Sequence, residues 1–376
     1  MRVCIIAPEQ FTVPGNNSVE ICILAIAKQL ALRHQVTIVS RRIPGLSLTD
    51  ELEHVNIIRL PADNPSRYLD AVLNFVRESS FDLIQVDNRP RLMAAVQKAA
   101  PTIPIVLFLH SLTFVPNTRA ILSCLNHADL IIANSRSLQR RLARRFPSCA
   151  AIIRIVPLGA DLERFVPPSP EERRYLRRSY RLPQKFTVLY VGRIIPRKGV
   201  SVLIRSVSLL RRWLPIHLLI VGRGKPLYIR QLKRLAMRLG VSVTFLGNVA
   251  HEEIHLLYQA ADCFVCPSQG HEAFGLVNVE AMATGLPVIA SNNGGIREIV
   301  VSGVNGYLVN RYRESLSFSR YLLIIGRNPK LAGSMGIQGR KDALNAFDWK
   351  HTAARLEELY RTLTLNTQDK QEKASE

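Results

Sequence analysis

The chain is 376 residues long, carries a formal net charge of +21 and is 47% hydrophobic. That length suits two domains, each able to bury its own core, and the composition excludes a disordered or fibrous protein. No apolar run reaches the roughly 18 residues a membrane-spanning helix needs. The apolar stretch Met1–Pro8 is too short for a signal peptide and has no cleavage pattern behind it, so the expected location is the cytoplasm. Residues 1–182 hold 24 Lys and Arg against 15 Asp and Glu, and the remainder 26 against 14. Excess positive charge on both halves points to an anionic partner: a phosphorylated substrate, an anionic membrane or a nucleic acid.

In chain order, Arg2–Ala7 is a short apolar run suited to a buried strand. Asn17–Leu32 carries apolar residues at helical spacing: Ile21, Leu24, Ala25, Ala27, Leu30 and Ala31. Val36–Ser40, Val55–Leu60, Leu83–Val86, Ile105–Leu109 and Leu130–Ala133 repeat the strand signal, with helix-like stretches between most of them. This alternation implies a parallel sheet covered by helices. Pro167-Pro168-Ser169-Pro170 is a linker signal. A charged helical stretch follows it, and strands resume at Phe186–Val191, Ile216–Val221, Val243–Leu246, Cys263–Cys266, Pro287–Ala290 and Gly306–Val309. The expected fold is α/β, with two doubly wound Rossmann-like domains and a ligand cleft between them. Residues 1–168 form the first domain, 169–182 the linker and connecting helix, and 183–345 the second domain. Residues 346–363 form a helix crossing back to the first domain, and 364–376 are a polar tail that frays.

Two segments carry the chemistry. In Glu272-Ala273-Phe274-Gly275-Leu276-Val277-Asn278-Val279-Glu280 two carboxylates stand eight apart, and the chain passes from loop to helix near Phe274. A helix N-terminus presents unpaired N–H groups and a positive dipole end, which suits a phosphate. Glu280 lies in an apolar helix and is not expected to face solvent. In Tyr190-Val191-Gly192-Arg193-Ile194-Ile195-Pro196-Arg197-Lys198-Gly199 a strand ends at Gly192 and is followed by Arg193 and Lys198, two cations suited to a diphosphate.

With these two segments the chain resembles the GT-B fold glycosyltransferases of family 4, the retaining "group 1" transferases. It is similar to the spore-coat-associated members in stretches such as Asp87-Asn88-Arg89-Pro90 and Arg145-Phe146-Pro147-Ser148. The resemblance runs from Met1 to about Tyr360. It implies a hexosyltransferase-type enzyme in which Arg193 and Lys198 neutralise the diphosphate of a nucleotide-sugar donor. It implies that Glu272 contacts hydroxyls of the transferred sugar, that Glu280 binds the ribose, and that amides around Phe274, Gly275 and Leu276 hold a phosphate. Gly15, Asn16 and Asn17 match a glycine-rich loop near the phosphates, with asparagines where two glycines are usual. His110 matches a histidine beside the donor sugar, Asn134-Ser135 and Gly159-Ala160-Asp161 match two landmarks, and Gly294–Glu298 matches a block after the glutamate pair. Arg223, between Gly222 and Gly224, departs from the usual acidic or small polar residue.

No Asp-x-Asp pattern or metal-binding histidine spacing is present, so neither metal nor cofactor is expected. Cys263 and Cys266 read as buried thiols rather than ligands. The expected partners are the donor, an acceptor that is a glycan, a lipid-linked molecule or a small molecule, and an anionic membrane touched peripherally; nucleic acid is not expected. Cell-surface, polysaccharide or spore-coat glycan synthesis is the expected setting. The alternatives are an inactive coat protein of the same fold and a nucleotide-sugar epimerase or hydrolase.

Overall fold

The computed structural model describes residues 1–13, 15 and 17–375, with no side-chain account of 370–375. The chain divides into two compact units: Met1–Leu158 with Trp349–Glu376, and Gly159–Asp348.

The first unit is built on β1 (Arg2–Gln10), β2 (Gln35–Arg41), β3 (Thr49–Leu52), β4 (Val55–Leu60), β5 (Leu83–Asp87), β6 (Ile105–Leu109), β7 (Leu130–Ala133) and β8 (Ile153–Ile155). They lie in the order β3-β4-β2-β1-β5-β6-β7-β8, all pairs parallel except the antiparallel β3–β4. The short strands β3 and β8 were not foreseen. The first is exposed and polar along most of its length, and the second is three residues, so neither carries an apolar period. The continuous apolar runs are buried because helices cover both faces. Val3, Cys4, Ile5 and Ile6 of β1 are wholly buried. The long helix Trp349–Ser375 packs against the helix Ser18–Ala31. It continues through the tail expected to fray.

The second unit holds β9 (Phe186–Val191), β10 (Ile216–Val221), β11 (Val243–Gly247), β12 (Cys263–Cys266), β13 (Val288–Ser291) and β14 (Gly306–Val309). Its order is β11-β10-β9-β12-β13-β14, parallel throughout. Residues 159–168 group with this unit. Ala160 N–H donates to the Phe347 carbonyl at 2.8 Å, and Arg340 donates to the carbonyls of Leu162 and Phe165. The proline-rich stretch leads into a helix start. Ser169 caps the helix Pro170–Ser179, exchanging hydrogen bonds with Glu172 three residues on. Asp262 then holds that helix to the sheet, accepting from Arg173, Arg177 and the Thr187 amide.

In each unit the chain winds outward from a central strand and then returns to its other side. The reversal falls between β1 and β5 in the first unit, and between β9 and β12 in the second. Loops leaving the C-terminal ends of such strand pairs splay apart and open a crevice for ligands. The loops after β1, β5, β9 and β12 are therefore where each unit's chemistry should lie.

Candidate functional site

The loop after β9 starts at Gly192 and is held by its backbone. The Tyr190 hydroxyl donates to the Arg193 carbonyl at 2.8 Å, and Ile194 N–H donates to the Arg223 carbonyl at 2.6 Å. The Arg193 guanidinium is exposed, with no hydrogen bond or ion pair among the described residues. Arg223 is likewise exposed. The turn Pro196–Lys198 closes on Gly199 at φ +76°, where a Cβ would stand 1.9 Å from the Pro267 carbonyl oxygen. Only glycine permits that approach, which brings the turn against the loop after β12.

There Lys198 Nζ donates to Glu272 Oε1 at 2.5 Å, and the Ser268 hydroxyl donates to the same oxygen at 2.7 Å. Burial pushes the Glu272 carboxyl up, but the Lys198 charge and hydrogen bond, helped by Ser268 and Arg197, outweigh it and hold the carboxyl below its ordinary value. The backbone of Glu272 is fixed by Asn293 and by Gly295 of the block Gly294–Glu298. Gly295 N–H donates to the Glu272 carbonyl at 2.8 Å, and Asn293 Oδ1 accepts from the Glu272 amide. Gly294, at φ +60°, leaves no room for a Cβ, which would lie 1.9 Å from the Glu272 carbonyl oxygen.

The helix Leu276–Ala283 follows directly, capped by Gly275 in the left-handed region at φ +103° with no side-chain cap. The amides of Phe274, Gly275 and Leu276 have no protein acceptor among the described residues. Free amides at the positive end of a helix attract an anion. Glu280 sits a turn further in and is only 4% exposed. The Tyr258 hydroxyl donates to its Oε2 at 2.8 Å, and His251 Nε2 lies 3.2 Å from its Oε1. An Arg164 nitrogen lies 3.2 Å from His251 Nδ1. Arginine only donates, so Nδ1 accepts and the imidazole proton is on Nε2, directed at Glu280. Burial pushes the Tyr258 phenol well up, and the Glu280 charge adds to it. Tyr258 is not singled out by the sequence, and His251 stands there only as one half of a histidine pair with His255 that lacks a third metal ligand. Their types suit many buried roles, and they meet Glu280 only through the packing of the helix Ile254–Ala260, which carries Tyr258, and of the turn before it, which carries His251.

In the first unit Gly15 is buried at φ +108° after β1. Asn17 caps the helix Ser18–Ala31, its side chain accepting from the amides of Val19 and Glu20 and donating to the Glu20 carboxylate. Asn16 lies outside the described residues. His110 follows β6 and is buried. Its Nε2 is 2.7 Å from Asp87 Oδ1, its amide donates to Asn88 Oδ1 at 2.8 Å, and its ring stacks on Phe108 at 4.5 Å. Asn134 donates to its carbonyl. Asn88 takes φ +57°, a conformation asparagine tolerates better than most residues. Arg89 then lies over the Phe114 ring at 3.6 Å and 3.5 Å from Glu9.

Among the described residues no group of three or more His, Cys, Asp or Glu side chains is placed to hold a metal ion. Cys263 and Cys266 are buried, and burial pushes both thiols up. No helix among the described residues is long and apolar enough to cross a membrane.

Two doubly wound units in one chain are the architecture of the GT-B fold, and the family models say which GT-B enzymes these are. Residues 172–342 match the model described as glycosyl transferases group 1, and residues 19–164 match glycosyltransferase family 4. The chain belongs to the group 1, family 4 glycosyltransferases. It is 30% identical to YtcC of Bacillus subtilis, a protein assigned to the glycosyltransferases, over 96% of this chain and 92% of that one. It is 28% identical to spore coat protein SA of the same organism, over 96% and 99%. The structure of HepE from Anabaena in complex with UDP-glucose superposes with a TM-score of 0.79 at 23% identity, covering 96% of this chain and all of that one.

Proposed function

We propose that the chain transfers a hexose from a nucleoside-diphosphate sugar to an acceptor, with retention at the anomeric carbon and without a metal. The observation that carries this reading is the grouping, at one strand-end crevice, of exposed Arg193, the Lys198–Glu272 pair and the unsatisfied amides from Phe274 to Leu276. Breaking the bond from the anomeric carbon to the phosphate oxygen leaves charge on the departing diphosphate. Fixed cations and helix amides stabilise that charge most where it develops. The acceptor oxygen bonds to the same face of the sugar, and its proton passes to the leaving phosphate. No enzyme nucleophile is needed.

In this reading Lys198 exchanges its contact with Glu272 for phosphate as the donor enters, freeing Glu272 to accept from sugar hydroxyls. Glu280 keeps Tyr258 and His251 and offers its remaining lone pairs to the ribose. Gly15 lets the backbone after β1 approach the phosphates, and His110 contacts the sugar. Asn17 is spent as a helix cap, so its part there is through the loop's shape. A UDP-sugar is the first donor to try, because HepE was solved with UDP-glucose. Spore coat protein SA makes coat glycan synthesis the first setting to test.

The acceptor side of the reading is a peripheral contact with an anionic membrane on its cytoplasmic face. The helix Arg136–Arg145 buries Leu138 and Leu142 and exposes Arg136, Arg140, Arg141 and Arg144, with no acidic residue in its ten positions. Incubation with UDP-glucose, GDP-mannose and ADP-glucose, followed by assay for released nucleoside diphosphate, tests the central claim. Release above the rate of an Arg193→Ala, Lys198→Ala double variant supports transfer or hydrolysis. No release from any donor, with or without added acceptor lipids and glycans, favours the inactive coat-protein alternative.

A further inference from the structure

Behind His110 lies a buried chain of polar side chains that the transfer chemistry above does not use. Asp87 closes β5 with no exposed surface. Its Oδ1 faces His110 Nε2 at 2.7 Å, and its Oδ2 accepts from Gln85 Nε2 at 2.8 Å. Gln85 stands two residues earlier on the same strand face and is fully buried. Its Oε1 accepts from the Tyr360 hydroxyl, on the helix Trp349–Ser375. Tyr360 is also fully buried, and burial, with Asp87 adding to it, pushes its phenol well up, so it stays a donor. The far ring nitrogen of His110, Nδ1, is buried with no hydrogen-bond partner among the described residues.

The hydrogen-bond roles along this chain run one way. A carboxylate accepts only, so the His110 nitrogen facing Asp87 must carry the proton. The Gln85 amide must turn its NH₂ to Asp87, because the opposite orientation sets its oxygen against the carboxylate. That leaves Oε1 for the Tyr360 hydroxyl. With Nε2 protonated, Nδ1 holds a bare lone pair. The opposite tautomer would leave a buried N–H without an acceptor and a lone pair against Asp87. Both faults disfavour it.

We infer that Tyr360, Gln85 and Asp87 form a positioning relay that locks His110 as the Nε2–H tautomer, so that its bare Nδ1 accepts a hydrogen bond from a hydroxyl of the donor sugar. The inference rests on reading His110 as a sugar contact and adds three positioning residues to it. A side chain of the C-terminal helix thereby sets the proton of a residue 250 positions earlier in the chain. The unpartnered Nδ1 leaves the network one acceptor still to offer at its end.

The test uses the full chain with its histidine rings labelled with ¹⁵N. Long-range ¹H–¹⁵N spectra distinguish the tautomers, and the His110 signals are those lost in His110→Asn. The expected wild-type state is Nε2–H, with a mixture of tautomers in Asp87→Asn and in Tyr360→Phe. Turnover is measured with whichever of UDP-glucose, GDP-mannose and ADP-glucose is used fastest. It should fall about 10- to 100-fold in Asp87→Asn and about 3- to 10-fold in Tyr360→Phe, mostly in kcat. Tyr360→Phe keeps the ring and its packing, so it stays readable if Asp87→Asn fails to fold. An Nδ1–H tautomer in the wild type overturns the relay. So does an impaired His110→Ala beside Asp87→Asn and Tyr360→Phe at wild-type rate and tautomer. Wild-type turnover in His110→Ala instead overturns the reading of His110 as a sugar contact.

Discussion

The two units place polar groups at their strand ends in opposite ways. In Gly159–Asp348 the groups at the strand ends are charged, with Arg193 exposed and Lys198 holding the largely buried Glu272. In Met1–Leu158 with Trp349–Glu376 the central group is a single buried imidazole backed by a neutral and anionic chain. The first arrangement stabilises charge that appears during a reaction. The second fixes one hydrogen-bond direction.

The largest effect expected from the contrast is at the cations. Arg193→Ala and Lys198→Ala should each cost about 2–4 kcal/mol of transition-state stabilisation, roughly 30- to 1,000-fold in turnover. Lys198→Ala should do something more. In the wild type the Glu272 carboxyl is held below its ordinary value, so it stays charged until the pH falls through that depressed value. Without Lys198, burial acts on the carboxyl with only Ser268 and Arg197 to oppose it, and its pKa rises. The acid limb of the pH–rate profile should move to higher pH in Lys198→Ala and stay in place in Arg193→Ala. Equal profiles would mean that Lys198 does not set the charge of Glu272.

Next comes the outward charge of the other unit. Basic residues beside an anionic membrane contribute about 1 kcal/mol each. Changing Arg140, Arg141 and Arg144 to Ser should therefore weaken sedimentation with anionic liposomes by roughly 3 kcal/mol at low salt. Arg145 is left out because its guanidinium is committed to the Val115 carbonyl. Salt should weaken the wild-type interaction, and neutral liposomes should not bind. Wild-type protein that ignores anionic liposomes at low salt would remove the membrane from the proposal.

A smaller difference separates the two glutamates. Glu280→Ala should weaken binding of free UDP by about 1.5–3 kcal/mol, the range for hydrogen bonds to a charged group. Glu272→Ala should leave UDP binding within about threefold of wild type and impair only sugar-bearing donors. Titration calorimetry separates them, and wild-type UDP affinity in Glu280→Ala would reassign that residue to structure. The smallest expected effect is none: turnover should survive EDTA, because Arg193 and Lys198 supply the charge a metal would. Loss on chelation, restored by Mg²⁺ or Mn²⁺, would break the account of a cation clamp.

How much of this was legible depended on sequence distance. The strands Ile105–Leu109 and Leu130–Ala133 coincide with their apolar runs, because a strand buried on both faces needs nothing but apolar residues. The glutamate pair and the cations were visible because each group lies within ten residues of a glycine turn. Glu20 stands three residues after Asn17, the spacing of a helix cap, and the structure uses Asn17 as one.

The sequence by itself determined the class of fold and most of its strands, since periodicity and turn residues act over a few positions, while Arg193, Lys198, Glu272, Glu280 and His110 were singled out by their motifs and by the family resemblance. The tertiary structure alone decided the partners. Lys198 meets Glu272 across 74 positions, Tyr258 meets Glu280 across 22, and Tyr360 meets Gln85 across 275. Such pairings follow from which strand lies beside which and where the last helix returns. Strand order is settled by the packing of the whole unit, and no local window of residues contains it.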